Sequence, residues 1–151
     1  MKSHFEISML FPEPLNDYAG PRIAIVFLIV VNIAGTARSL VHMFAPDSGA
    51  QSIATMNVGV AGGPNIIAML AQWGGGQLIM AIIIWIVIFR YRILTPLMIA
   101  EIFLEQIIRI LIGQIKPMVI MGTPPGRIGS YILLPLSAIM LVVSMWRTAP
   151  A

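Results

Sequence analysis

Long apolar stretches alternate with short polar segments along this chain, and four of the apolar stretches are long enough to cross a bilayer as helices. A hydrocarbon core of about 30 Å takes about 20 helical residues, and the pattern predicts spans at about 21–44, 64–91, 94–115 and 128–146. Pro21 suits a first helical position, where its missing N–H costs nothing, and Pro46 stops that helix. The next segment, PDSGAQSIATMNVGVAGG, is rich in Gly and Ser and reads as a connector. The second stretch is longer than a bilayer needs and contains Gly74, Gly75 and Gly76, so one element with a bend or break near 74–76 is expected. Lys116 and Pro117 close the third stretch, the loop MGTPPGR turns the chain into the fourth, and Pro135 predicts a kink there. Residues 1–20 hold two prolines, three acids and no long apolar core, unlike a secretory leader. They read as a short tail lying at the interface through Phe5, Met9, Leu10 and Phe11. Residues 21–147 then form a single transmembrane domain, an all-α four-helix bundle with short links.

Composition narrows the class. The chain has 151 residues, 58% hydrophobic and only 10% charged, against about 25% charged in soluble domains. A soluble enzyme and a disordered chain are excluded on that ground, and a transmembrane barrel is excluded because its strands alternate apolar and polar residues. There is no cysteine, hence no disulfide and no thiolate chemistry. The nine Lys and Arg residues give a net charge of +3 without forming a run, so no nucleic-acid patch exists. Their placement speaks instead to topology. Lys2, Arg22, Arg90, Arg92 and Arg147 fall on one side of the spans, and Lys116 and Arg127 on the other. By the positive-inside rule both termini are cytoplasmic, in a multi-pass protein of a bacterial inner membrane.

The informative residues are ionisable ones inside the spans, each costing about 2.5–3.5 kcal/mol at a helix centre unless partnered or wet. Glu101, Glu105 and Arg109 follow one another at i+4 steps on the third span, within an arc of about 80° at 100° per residue. Glu105 preceding Arg109 is the favourable order for a helical ion pair. On the first span Asn32, Gly35, Arg38, Ser39 and His42 share an arc of about 120°. The two stripes are complementary in sign, and matching depth pairs Arg38 with Glu105 and leaves Glu101 to another partner or a water-filled cleft. Gln72 and Gln77 can extend the network from the second span. Such a network serves either as a structural core that sets which helix faces which, as a cavity for a proton, an ion or a polar headgroup, or as a face against another subunit.

Other candidates carry less. His42 can ligate a haem or pigment, but the one other histidine, His4, lies in the tail, and hydrogen bonding beside Arg38 is the better reading. Glu101 and Glu105 with one histidine make a poor metal set, HExxH is absent, and no cofactor is called for. Ser130, Ser137 and Ser144 recur every seven residues, a stripe of small residues for close packing. Trp73, Trp85 and Trp146 read as interface anchors, except that Trp85 is deep enough to pack inside the bundle. No internal repeat relates the two halves, as it does in inverted-repeat transporters. In size and span count, and in the glycine-rich AQWGGGQL of the second span, the chain resembles the small four-helix bacterial inner-membrane proteins of the DoxX-like type. That resemblance implies no activity and no site residue. Small multidrug transporters also combine four spans with a membrane glutamate, but in the first span rather than the third. The expected role is a non-enzymatic membrane subunit or scaffold that self-associates or joins a larger membrane complex. The alternative is a small transporter or channel with Glu101, Glu105 and Arg109 in its pathway.

Overall fold

Proline stands at the start of every helix. The computed structural model describes residues 10–147 as α1 (Arg22–Phe44), α2 (Gly63–Arg90), α3 (Thr95–Ile115) and α4 (Pro125–Ser144). Lys2, His4, Phe5 and Met9 lie outside the described residues. Pro21 precedes α1 with an extended backbone, Pro64 and Pro96 fall in the first turns of α2 and α3, and Pro125 opens α4. A first-turn residue needs no backbone donor, which lets α4 begin at Pro125 rather than at the expected 128. The three glycines do not break α2, which is helical throughout. Unwound backbone in lipid leaves unsatisfied N–H and C=O groups, a heavier cost than roughly 1 kcal/mol per glycine in a helix.

The helices form two hairpins, α1 with α2 and α3 with α4, and the hairpins meet mainly through α1. Within the first hairpin the backbones approach closely at Gly74, where a Cβ would stand 2.6 Å from His42 Cβ. Gly75 and Gly76 have nothing within 4 Å of such an atom, so only Gly74 is needed for the approach. In the second hairpin Ser130, Ser137 and Ser144 are all buried, and each hydroxyl donates back to its own helix, to Gly126 O, Leu134 O and Leu141 O.

The two ends of the bundle differ. At one end, residues 10–20 fold over the α2–α3 link: Leu15 N donates to Arg90 O (3.0 Å) and Ile93 N to Leu15 O (3.3 Å). Tyr18 there donates its hydroxyl to Ser144 O at 2.7 Å, and burial raises its pKa above the usual value. The apolar core lies in this half, as Ala24 and Leu28, then Ile84, Val87 and Ile88, then Met98, Ile99 and Ile102, and Met140. At the other end the connector meets the α3–α4 loop, where Met121 N donates to Thr55 O (2.8 Å). The connector is itself ordered by Asp47. Its carboxylate accepts from Ser52 N (2.7 Å), Gln51 N (3.0 Å), Gly49 N (3.0 Å) and Ser52 Oγ (3.1 Å). Ser48 and Thr55 adopt positive φ (50° and 56°) around this turn.

Outward, α1, α2 and α4 are long and apolar enough to cross a membrane, with 17–28% of their apolar windows buried inside the bundle. The remainder is far more exposed apolar surface than water tolerates on a monomer. Helix α3 has 21 residues but carries Glu101, Glu105 and Arg109, and it is not among these apolar helices.

Two outcomes follow from this packing. Gly74→Ala forces α1 and α2 apart and lowers stability in detergent by about 1–3 kcal/mol; Gly75→Ala, meeting open space, leaves the Tm unchanged or raises it, as thermal unfolding will read. Asp47 supplies a second. The Ser52 N–H above all, with the Gly49 and Gln51 N–H groups and the Ser52 hydroxyl, holds its carboxyl down to about 2. Its folded pKa lies below the unfolded one, so its contribution is present above about pH 4 and is lost as pH falls through about 2. Amide exchange at Gln51 and Ser52 therefore stays slow from pH 7 to 4, after correction for intrinsic rates, and quickens towards pH 2; Asp47→Asn removes that pH step.

Candidate functional site

Small residues on the inner faces of three helices leave space between the hairpins in the half of the bundle that lacks the apolar core. Gly35, Gly76 and Gly129 line the gap, and a Cβ at any of the three would meet nothing within 4 Å. Gly126 joins them at the start of α4. The result is an open cleft of about 750 Å³ with walls from all four helices. Most of its wall is apolar, from residues such as Val30, Val31, Met80 and Ile132. It borders the core at Ile84 and Ile102, which belong both to its lining and to the buried cluster. A smaller depression of about 400 Å³ near Tyr18 and Arg22 contains no comparable network.

One wall of the cleft is charged. Arg38 donates through Nη2 to Gln77 Oε1, and Gln77 Nε2 donates to Glu105 Oε1 at 2.7 Å. The same carboxylate oxygen lies 3.7 Å from Arg38 Nη2 and 3.5 Å from Arg109 Nη1. The chain of bonds thus runs from α1 through α2 to α3, with the i+4 pair of α3 closing it. The Arg38 and Glu105 side chains are 32% and 30% exposed, so the network is at the cleft surface rather than sealed in a core. Trp73 supports it from the side: the Arg38 and Arg109 guanidinium carbons lie 5.3 and 5.7 Å from its ring centroid, within cation–π range. Glu101 and Asn32 also line the cleft. Asn32 donates to Ala81 O at 3.1 Å, whereas no described residue hydrogen-bonds Glu101.

The remaining sequence candidates fall outside this network. Ser39 returns its hydroxyl to Gly35 O (2.8 Å), although its edge reaches the cleft. His42 is buried and donates Nδ1–H to Ser48 O at 2.7 Å, so it ties α1 to the connector instead of bonding Arg38. Its ring packs on Trp73 with centroids 5.0 Å apart. Gln72 is exposed and makes no bond to the network. Trp85 donates to Thr36 Oγ1 (3.1 Å) and stacks on Phe89, packing against the core as its depth suggested. Trp73, expected as an interface anchor, lies against the two arginines of the network; helical periodicity places Trp73 and Gln77 at i and i+4, one signal that could have found this contact. Among the described residues no group of three His, Asp or Glu side chains is placed to hold a metal ion.

No family model, curated protein or solved structure matches the chain.

The shared carboxylate makes the network asymmetric. Glu105→Ala leaves two guanidiniums facing each other and lowers stability by about 1–3 kcal/mol, less than the about 3–5 kcal/mol of a fully buried pair because solvent reaches these groups. Arg38→Ala and Arg109→Ala each cost less, since Glu105 keeps one cation. The double change Arg38→Met with Glu105→Met strands Arg109 and recovers little. Thermal unfolding in detergent, with Arg147→Ala as the control, reads this order; an Arg38→Ala loss equal to that of Glu105→Ala would contradict it.

Proposed function

We propose that the chain is a small membrane transporter whose solute enters the cleft between the two helix hairpins and meets the Arg38, Gln77, Glu105 and Arg109 wall. The observation that carries this reading is the position of the network. A scaffold that needs charges only to align its helices is best served by a dry, closed polar core, whereas these charges line an open, largely apolar cleft of about 750 Å³. Intramembrane ionisable groups facing a cavity are characteristic of solute and ion pathways. The apolar core blocks the half of the bundle nearest residue 22, which favours a binding cleft that opens to one side over a continuous channel. Rocking of one hairpin against the other, about an interface made mainly by α1, is the motion that would open the second side.

In this reading all four helices cross a bacterial inner membrane. Helix α3 is carried across because its three charges face the cleft and one another rather than lipid. Arg22, Arg90, Arg92 and Arg147 lie at one end of the bundle and Lys116 and Arg127 at the other, so the end that bears the four arginines is cytoplasmic and the cleft half faces outward.

The absence of cysteine gives a direct test. Single cysteines at Ala34, Met80 and Ile132 in the cleft, at Ile79 and Leu104 outside it, and at Gln51 in the connector are exposed to a membrane-impermeant maleimide in intact cells. The cleft positions and Gln51→Cys label from the outer side, and Ile79→Cys and Leu104→Cys stay unlabelled. Cleft positions that resist labelling from both sides of the membrane would mark a dry core and end the transport reading.

A further inference from the structure

The two arginines of the cleft have more donors than the protein uses. A guanidinium carries five N–H groups. Arg38 spends one on Gln77, and its Nε is buried with no partner among the described residues. Arg109 donates to Glu105 at 3.5 Å, at the long end of a hydrogen bond. Both guanidiniums approach the same oxygen of Glu105 and lie over the same Trp73 ring, so one small anion beside that oxygen is within reach of both. Two cations sharing one carboxylate leave a positive balance at this point of the wall.

The start of α4 adds to it. Gly126 lines the cleft so closely to Arg109 that a Cβ there would stand 3.4 Å from Arg109 Nη2. No side chain caps α4, and its first turn holds no acid. The positive end of a 20-residue helix therefore lies beside Arg109, on the wall that also carries Arg38. The remaining acid of the wall, Glu101, is eight residues before Arg109 on α3, about 12 Å along the helix at 1.5 Å per residue. Glu101 is also one turn, about 6 Å, from Glu105, so an anion held by Arg38 and Arg109 beside the Glu105 oxygen lies between one and two turns away from it.

Size and polarity set the rest of the ligand. A cleft of about 750 Å³ is far larger than an inorganic anion needs, and its walls away from the arginines are mostly aliphatic, with Asn32, Glu101, Gln106 and Ser130 among them. Ligand sites commonly combine such an apolar wall with a few polar groups that fix orientation. We propose that the cleft binds an amphipathic anion, with a carboxylate or phosphate held between Arg38 and Arg109 at the start of α4 and an apolar chain along Val31, Met80 and Ile132. The inference rests on the reading of the cleft as a solute site. The same chemistry is offered by a bilayer lipid with an anionic headgroup and by a short-chain organic anion arriving from water.

The test uses wild-type protein in nanodiscs of phosphatidylcholine, whose headgroup has no net charge. Phenylglyoxal modification of each arginine is followed by peptide mass mapping, with Arg147 as the internal reference. Dioleoyl phosphatidic acid represents the bilayer source and octanoate the aqueous one, with octyltrimethylammonium and inorganic phosphate as tail-only and charge-only comparisons. The expected result is that phosphatidic acid or octanoate slows modification of Arg38 and Arg109 at least fivefold without slowing Arg147. Protection by phosphatidic acid alone assigns the ligand to the bilayer, and protection by octanoate alone assigns it to the aqueous phase. Equal protection by octyltrimethylammonium, or none by either anion, overturns the proposal. Arg38→Gln and Arg109→Gln each weaken binding of the protecting anion at least tenfold; because wild-type protection is read first, a variant that fails to fold does not rescue the idea. Cleft cysteines that label while both arginines stay unprotected reject the anion and keep the pathway, whereas unlabelled cysteines reject the pathway itself.

Discussion

One carboxylate oxygen, Glu105 Oε1, joins three helices. It accepts from Gln77 on α2, faces Arg38 on α1 and pairs with Arg109 on its own α3. The hairpins otherwise meet through apolar packing in the opposite half of the bundle and through the loop contact of Thr55 with Met121. Aliphatic packing in lipid supplies little preference for one helix rotation over another, because the tails are as apolar as the side chains. A charge that must find its partner does supply that preference. Rotating α3 by one residue turns Glu105 by about 100° and takes its carboxylate away from Gln77 and Arg38. The network therefore sets the register of the hairpins more than it adds to their stability.

The same constraint explains why a cleft exists. Arg38 on α1 reaches Glu105 on α3 at 3.7 Å and through Gln77, so long side chains bridge the helices here. Gly35, Gly76 and Gly129 then fill none of the space between them. In the other half, Leu28, Ile99 and Met140 close the gap. The bundle is thus packed in one half and holds the cleft in the other, and the connector fastened by Asp47 and His42 lies beyond the cleft half.

Within each helix, much of this was legible. The i+4 run of Glu101, Glu105 and Arg109 and the arc containing Arg38 name two charged faces, and their depths pair Arg38 with Glu105. The serine heptad of α4 marks a packing face, and all three serines are buried. Equivalent glycines were not separable: Gly74, Gly75 and Gly76 look alike in sequence, yet only Gly74 meets another backbone. Trp73 was legible as an amphipathic residue and not as a cation–π partner, since that contact depends on where two other helices place their arginines.

The sequence by itself determined the helices, their apolar character and the chemistry each helix face carries, because hydrophobicity and 3.6-residue periodicity are local properties of the chain. Tertiary structure alone decided which faces meet, that Gln77 stands between Arg38 and Glu105, that His42 turns to the connector, and that the core and the cleft divide the bundle between them. Those outcomes depend on the axial shift and rotation of one helix against another. Such shifts change contacts by a few ångströms while leaving every local pattern untouched, so only the packed molecule can choose among them.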